Sequence, residues 1–236
     1  MSTPTTASPK KRTFPPPPPR LFGPRSLASL LDLQPEDTVL LLRPDQQLVD
    51  SVALRGARPT LVVPPKTKKH NRPKAPHILR PDTVPGPLPL DDAAVQHIIM
   101  PTASLAWWRE PRWIDELVRV LAPGGSLLIG ANHRLRTPWR RATTLTSSGA
   151  RRRLTTAGLH VAHTYGVRSS LRELRFLVPL DHPGARRWFF TSAYPSPTAR
   201  HARLTTLLTR LPRTGLDRAY FPQLLLHAQR PYDAPC

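Results

Sequence analysis

Residues 116–130 read E-L-V-R-V-L-A-P-G-G-S-L-L-I-G. The first part carries apolar residues at helical spacing and predicts an amphipathic helix that ends before Pro123. Pro123 fixes the φ angle of a turn, and Gly124 or Gly125 supplies the positive φ angle that the turn requires. Residues 126–129 then read as a buried strand. The stretch therefore predicts one helix–turn–strand unit of an α/β sheet.

The flanking sequence repeats this alternation. Strands are predicted at 37–42, 60–63, 77–79, 93–100, 159–167 and 221–229, and helices at 27–33, 46–56, from Pro111 onward, and at 144–158, 183–191 and 199–211. Segments that alternate in this way predict an α/β fold with a doubly wound, mostly parallel sheet. We predict that residues 168–219, which precede the last strand, form a helical lid or substrate-binding insertion.

The amino-terminal region has a different composition from the rest of the chain. Residues 1–20 contain Ser, Thr, Pro and basic residues with almost nothing to bury, and prolines 15–19 favour a polyproline II segment. We predict a disordered, Pro-rich basic tail over residues 1–24 and one domain over residues 25–236. The tail is interpreted as a docking ligand, a basic targeting patch or an inert extension.

The charge of the chain favours polyanionic partners. Lys and Arg total 35 against 15 acids, a formal net charge of +20, and such a field attracts nucleic acid. No lysine follows Lys74, however, and residues 117–236 carry 19 Arg against four acids. An excess made of arginine alone also fits the coding bias of a GC-rich genome. Nucleic-acid binding therefore stays open beside a merely compositional origin.

Several classes of function find no support in the sequence. The single cysteine, Cys236, cannot form an internal disulfide. Zinc-ligand spacing, a P-loop and a Cys-x-x-Cys pair are all missing, so we predict no metal site and no thiol redox chemistry. No apolar run approaches the roughly 20 residues of a membrane span, and the amino terminus lacks the apolar core of a secretory signal. We expect a cytoplasmic protein with no membrane contact.

Four stretches resemble one enzyme family. R-V-L-A-P-G-G-S-L-L at 119–128 is similar to the segment that joins the fourth helix to the fifth strand in class I S-adenosylmethionine-dependent methyltransferases. L-P-L-D-D-A-A-V at 88–95, T-A-G-L at 156–159 and A-Q-R-P at 228–231 are similar to other family segments in the same order. The resemblance implies a Rossmann-like methyltransferase fold that binds S-adenosylmethionine at the carboxyl ends of strands one to three.

The chain departs from the family at two of the cofactor positions. A glycine-rich loop follows strand one in the family, because the backbone must approach the cofactor closely, whereas this chain has R-P-D-Q-Q at 43–47. The acid that holds the ribose hydroxyls falls on Pro64. The acid that accepts from the adenine amino group is matched by Asp82, and the Asp that usually begins strand four falls near Gln96.

From this resemblance we predict a set of cofactor-binding residues. Asp82 would bind the adenine, and Asp45, Gln46 and Gln47, with Arg43 beside them, would replace the polar groups that the family supplies. Each missing charge-assisted bond would cost on the order of 1.5 to 3 kcal/mol. Cofactor binding is therefore the first property to test.

Three functions remain open on the sequence. The first is methyl transfer to a small-molecule substrate, for which His97, His133 and His163 are candidate bases, although a packed or surface histidine is the more common role of each. The second is a catalytically inactive methyltransferase-like scaffold with a protein partner. The third is a nucleic-acid-binding protein or RNA methyltransferase, favoured by the basic clusters at 151–153 and 186–187.

Two further segments have open interpretations. The aromatic pair Trp107–Trp108 would either line a pocket or pack on the sheet, and the segment Tyr165–Arg168 would form either a lid hinge or an ordinary loop.

Overall fold

The computed structural model describes residues 27–63, 75–79, 81, 85–103, 110–133, 144–145, 147–167, 177–192, 221 and 223–232. The strands are β1 Thr38–Leu42, β2 Arg58–Val62, β3 His77–Leu79, β4 Val95–Ala103, β5 Leu121–His133, β6 Thr144–Leu145, β7 His160–Val167, β8 Leu177–Pro179 and β9 Gln223–Gln229. The helices are a 3-10 helix Leu27–Leu30, α1 Gln46–Ala53, α2 Pro111–Val120, α3 Ser147–Thr156 and α4 Pro183–Ser192.

The described strands form one sheet in the order β3-β2-β1-β4-β5-β9-β7-β8, with β6 paired to β5. Strands β1 to β5 run parallel to one another, whereas β9 is antiparallel to both β5 and β7. Along the chain, β2 and β3 are added on one side of β1, and β4 and β5 on the other side. The sheet is therefore doubly wound and mostly parallel, as predicted. The predicted strands all occur, with ends that shift by a few residues.

Strand β1 shows why both faces of the sheet are covered. Its sequence T-V-L-L-L is buried from Val39 onward, as expected for a central strand without a polar face. Val39 and Leu41 join a core with Val52 of α1, while Leu40 and Leu42 join a second core with the residues of α2. Two cores on opposite faces are what a doubly wound sheet needs.

The turn predicted at Pro123 is instead a bulge within β5. Val95 pairs with Leu121 and His97 pairs with Ser126, so four residues of β5 lie opposite one residue of β4. Gly124 has a φ angle of 76°, as the sequence required of one of the two glycines. Strand β5 therefore starts directly after α2, because the predicted turn at Pro123 stays hydrogen-bonded to the sheet.

The residues after β9 clamp this bulge. Arg230 is buried, and its Nη1 donates to the carbonyl oxygen of Leu121 at 2.6 Å and to that of Val118 at 2.9 Å. The backbones also pair, because the Gly124 N–H donates to the Arg230 carbonyl and the Arg230 N–H donates to the Gly125 carbonyl. The last strand thus locks the end of α2 to the start of β5.

The described part of the predicted insertion extends the sheet. Strand β8 pairs antiparallel with β7 and was not predicted, while α4 confirms the helix predicted at 183–191. Asp181 accepts from the Thr164 N–H at 2.6 Å and pairs with Arg151 at 3.2 Å, which fixes the segment to β7 and α3. A lid over the substrate stays a prediction.

Several predicted features lie outside the described residues. These are the tail at 1–24, the helix at 199–211, the positions Pro64 and Asp82, and the aromatic pair Trp107–Trp108. The helix predicted at 27–33 is one short 3-10 turn, Leu27–Leu30. It packs on the face of the sheet that carries Val39 and Leu41. Among the described residues, no helix has the length and apolarity to cross a membrane.

Candidate cofactor site

The loop between β1 and α1 lies where the sheet order reverses. Strand β1 ends at Leu42, the next residue Arg43 has a φ angle of 55°, and α1 begins at Gln46. A positive φ angle is uncommon for a residue with a side chain and costs on the order of 1 kcal/mol. The chain therefore makes a tight, left-handed turn directly after β1 even though it has no glycine there.

The structure brings four of the predicted cofactor residues together at this turn. Arg43, Gln46 and Gln47 are exposed and Asp45 is half-buried. Asp45 is the N-cap of α1, because its carboxylate accepts from the Leu48 N–H at 2.9 Å. An Asp directly before an apolar helical pattern is a sufficient sequence signal for this cap, beside the cofactor-binding role predicted for Asp45.

The side chain of Gln46 is also engaged within the helix. Its Nε2 donates to the Oδ1 of Asp50 at 2.7 Å, one turn further along α1. Two of the four residues at the turn therefore stabilise the start of α1 in the structure. Arg43 and Gln47 are both exposed.

The second and third cofactor positions, Pro64 and Asp82, lie outside the described residues, but the residues directly before them are described. Val63 follows β2 and donates its N–H to the carbonyl oxygen of Leu79 at 3.1 Å, which holds the ends of β2 and β3 side by side. Pro81 is buried beyond β3. The role of Asp82 stays a prediction.

Gln96 has a structural role at the opposite end of the strands. Its Oε1 accepts from the Thr38 N–H at 2.8 Å, which joins the beginning of β1 to the beginning of β4. It therefore lies away from the turn at Arg43, at the amino end of the parallel strands.

His97 lies at the amino half of β4 as well. Its Nε2 is 3.2 Å from the Oδ2 of Asp37, and its Nδ1 is buried without a hydrogen bond to the described residues. Burial lowers the pKa of His97, although the carboxylate of Asp37 opposes that shift. The structure thus places His97 with Asp37 and not with the turn at Arg43, while the side chain of His133 lies outside the described set.

His163 meets a histidine that sequence reasoning missed. His163 on β7 and His227 on β9 are directly opposite each other in the antiparallel ladder, and their ring centroids are 6.1 Å apart. Burial, together with the nearby rings of His163 and His97, lowers the pKa of His227 to about 4. We call His163 and His227 the histidine pair. A histidine inside the apolar run L-L-L-H-A was the only sequence signal for it.

A network of charges stabilises the approach to β4. Arg119 of α2 binds Glu116 at 2.7 Å and Asp92 at 2.5 Å, and Glu116 also accepts from the Leu88 N–H. The hydrogen bonds from Arg119 lower the pKa of Glu116. These groups hold the L-P-L-D-D segment onto α2, which gives them a structural role.

Comparison with known proteins identifies the fold. No protein-family model and no curated protein matches the chain. Among solved structures, it is similar to a putative methyltransferase of Haloferax volcanii in complex with the Trm112 methyltransferase activator, with 17% identity, 86% of each chain covered and a TM-score of 0.53. It is also similar to the [4+2]-cyclase SpnF, with 15% identity, 86% of this chain and 78% of the other covered, and a TM-score of 0.51.

A third similar structure contains the cofactor. Phosphoethanolamine N-methyltransferase 2 of Haemonchus contortus, solved in complex with S-adenosyl-L-methionine, has 9% identity to the chain and a TM-score of 0.51, with 87% of this chain and 51% of the other covered. The chain has the class I S-adenosylmethionine-dependent methyltransferase fold, which confirms the resemblance seen in its sequence. At these identities the likeness is one of fold, and function is argued from the site.

Proposed function

We propose that the protein is an S-adenosylmethionine-dependent methyltransferase that acts on a small-molecule substrate. One observation carries the proposal: the chain takes a left-handed turn at Arg43 directly after β1, at the switch point of the sheet. In this fold the cofactor binds at that place. A strained residue is kept where the surrounding structure determines it, and such residues cluster at ligand sites.

The proposed contacts combine backbone and side chains. The backbone of residues 43–47 would approach the methionine and ribose portion, Gln47 would offer its exposed amide, and Asp82 would accept from the adenine amino group. The cofactor supplies an electrophilic methyl group on its sulfonium. The task of the chain is then to align a nucleophile with that methyl group, and such positioning can supply much of the rate enhancement.

A second function is favoured by a specific observation. Asp45 and Gln46 are bonded within α1, and Pro64 stands where the family has a ribose-binding acid. A domain that retains the fold but has redirected its polar groups would be a catalytically inactive scaffold for a protein partner. The methyltransferase of Haloferax volcanii, solved with an activator protein, is one similar structure that binds a partner. Nucleic-acid binding stays a prediction from net charge.

Titration of the purified protein with S-adenosylmethionine and S-adenosylhomocysteine separates the first two functions. A Kd on the order of 1 to 100 μM, or about −8 to −5.5 kcal/mol, would support the methyltransferase. The variant Asp82→Ala should weaken binding by at least about tenfold, since it removes a charged acceptor. Asp91→Ala, an exposed acid on the approach to β4, is the matched control and should bind as the unchanged protein does.

Two results would overturn this assignment. An unchanged dissociation constant in Asp82→Ala would remove Asp82 from the site. The lack of detectable binding up to millimolar cofactor, in titrations at two temperatures, would rule out the methyltransferase and favour the inactive scaffold.

A further inference from the structure

The histidine pair is separate from the proposed cofactor site. Strands β7 and β9 follow β4 and β5 in the sheet order, on the far side from β2 and β3. Cross-strand partners in an antiparallel ladder have Cβ atoms about 4.5–5.5 Å apart, so opposed side chains on one face meet. His163 and His227 are such partners.

Histidines in this arrangement can share one metal ion. Two imidazoles on a tetrahedral ion, with metal–nitrogen bonds of about 2.0–2.1 Å, place their ring centroids roughly 5 Å apart. The ring centroids of the pair are 6.1 Å apart. Closing this difference requires a rotation of the His163 side chain, which is exposed. The ring of His163 also lies beside that of Tyr165, with the centroids 5.8 Å apart.

The ring of His227 has an unsatisfied nitrogen. Its Nε2 is shielded from solvent and makes no hydrogen bond to the described residues. A buried polar atom without a partner costs about 1 to 3 kcal/mol, and coordination of a metal ion would remove that cost. His227 is also neutral at pH 7, which leaves one ring nitrogen with a lone pair for coordination.

We propose that His163 and His227 form a binding site for a divalent transition-metal ion of the kind that imidazole prefers, such as Ni²⁺, Cu²⁺ or Zn²⁺. Within the described residues, no group of three or more His, Cys, Asp or Glu side chains is placed to hold a metal. The ion would therefore have two protein ligands, with water at the other positions. Such an ion would join β9 to β7, the strand on which the added edge strand β8 pairs.

The proposal is tested by titrating the full-length protein with Ni²⁺ after treatment with a chelator, at neutral pH. We expect a single saturable site of higher affinity than the background of surface histidines. His163→Ala and His227→Gln should each lower the affinity by at least about tenfold, as loss of groups that organise metal sites does. The double variant should bind no more weakly than either single variant, since one lost ligand already breaks the chelate.

The matched control is His160→Ala, an exposed histidine on the same strand whose partner is Gln229 and not a histidine. It should bind Ni²⁺ as the unchanged protein does. Electron paramagnetic resonance of the Cu²⁺ complex adds a second readout, with nitrogen couplings that weaken in His163→Ala. Because His163 is exposed, that variant should fold, and equal melting temperatures without metal would verify this. Unchanged affinity or unchanged nitrogen couplings in His163→Ala would overturn the proposal.

Discussion

The bulge at the start of β5 and the loop after β1 lie at opposite ends of the parallel strands, and each contains a residue with a positive φ angle. At the bulge this residue is Gly124, with φ 76°, and at the loop it is Arg43, with φ 55°. The bulge is held by backbone bonds to β9 and by two bonds from the buried Arg230. The loop is held by a helix cap at Asp45.

The difference separates what the fold needs from what the site can vary. Glycine is the residue that adopts a positive φ angle without steric cost. It occupies that position, as Gly124, in the bulge that is hydrogen-bonded to Arg230. Arg43 in the loop has a similar φ angle but carries a side chain, so its backbone is strained. The scaffold is therefore fixed by interlocking contacts, while the loop is a local structure that can change its side chains without loss of the sheet.

The largest effect is expected from Gly125→Ala. An added Cβ would lie 2.7 Å from the carbonyl oxygens of both Ala122 and Gln96, and neither backbone atom can move aside without opening the sheet. We expect a loss of about 3 kcal/mol in the free energy of unfolding, measured by urea denaturation. Gly158→Ala is the control, since it has φ 86° but no atom within 4 Å of the added Cβ, and its loss should be only about 1 to 2 kcal/mol.

The opposite order for these two variants would mean that the bulge relaxes easily. The contrast between a closely packed bulge and an adaptable loop would then fail.

The next effect is expected from Arg230→Met. Methionine keeps the length of the side chain but leaves the carbonyls of Leu121 and Val118 without the donors that reach them. We expect a loss of about 2 kcal/mol in the free energy of unfolding, the scale of a bond to a charged group. Arg58→Met, which removes an exposed ion pair with Glu36, is the control and should cost under about 1 kcal/mol. Equal losses of stability in the two variants would mean that the bonds from Arg230 to Leu121 and Val118 do not hold the bulge.

Local sequence patterns predicted most elements of the fold but not the partners of their side chains. The apolar run of β1 and the 3.6-residue spacing of α1 depend on neighbouring residues, and both were predicted. Arg230 binds a carbonyl 112 positions away, and His227 meets His163 only through the register of β9 on β7. Such pairings depend on tertiary structure, so neither could be read from the sequence.

A smaller effect is expected at the cap of α1. Asp45→Ala removes the acceptor for the Leu48 N–H and should lower the free energy of unfolding by about 1 kcal/mol, whereas Asp45→Asn keeps an oxygen there and should lower it by less. The measurement is urea denaturation without cofactor, followed by titration with S-adenosylmethionine. If Asp45 only caps the helix, Asn will bind the cofactor as Asp does. A tenfold weaker affinity in Asp45→Asn, at unchanged stability, would give its charge a role in binding.

The smallest effect, and the most informative about the loop, is expected from Arg43→Gly. Glycine removes the steric cost of the positive φ angle, about 1 kcal/mol, but loses more backbone entropy on folding, so the free energy of unfolding should change by less than about 1 kcal/mol. Affinity for S-adenosylmethionine distinguishes the two proposed functions, because glycine restores the residue type that the family has at this turn. Tighter binding would mean that the arginine restricts a site still shaped for the cofactor. Loss of binding would make Arg43 itself a ligand-holding residue. Unmeasurable binding in both proteins would leave the turn as a remnant of the fold and support the scaffold.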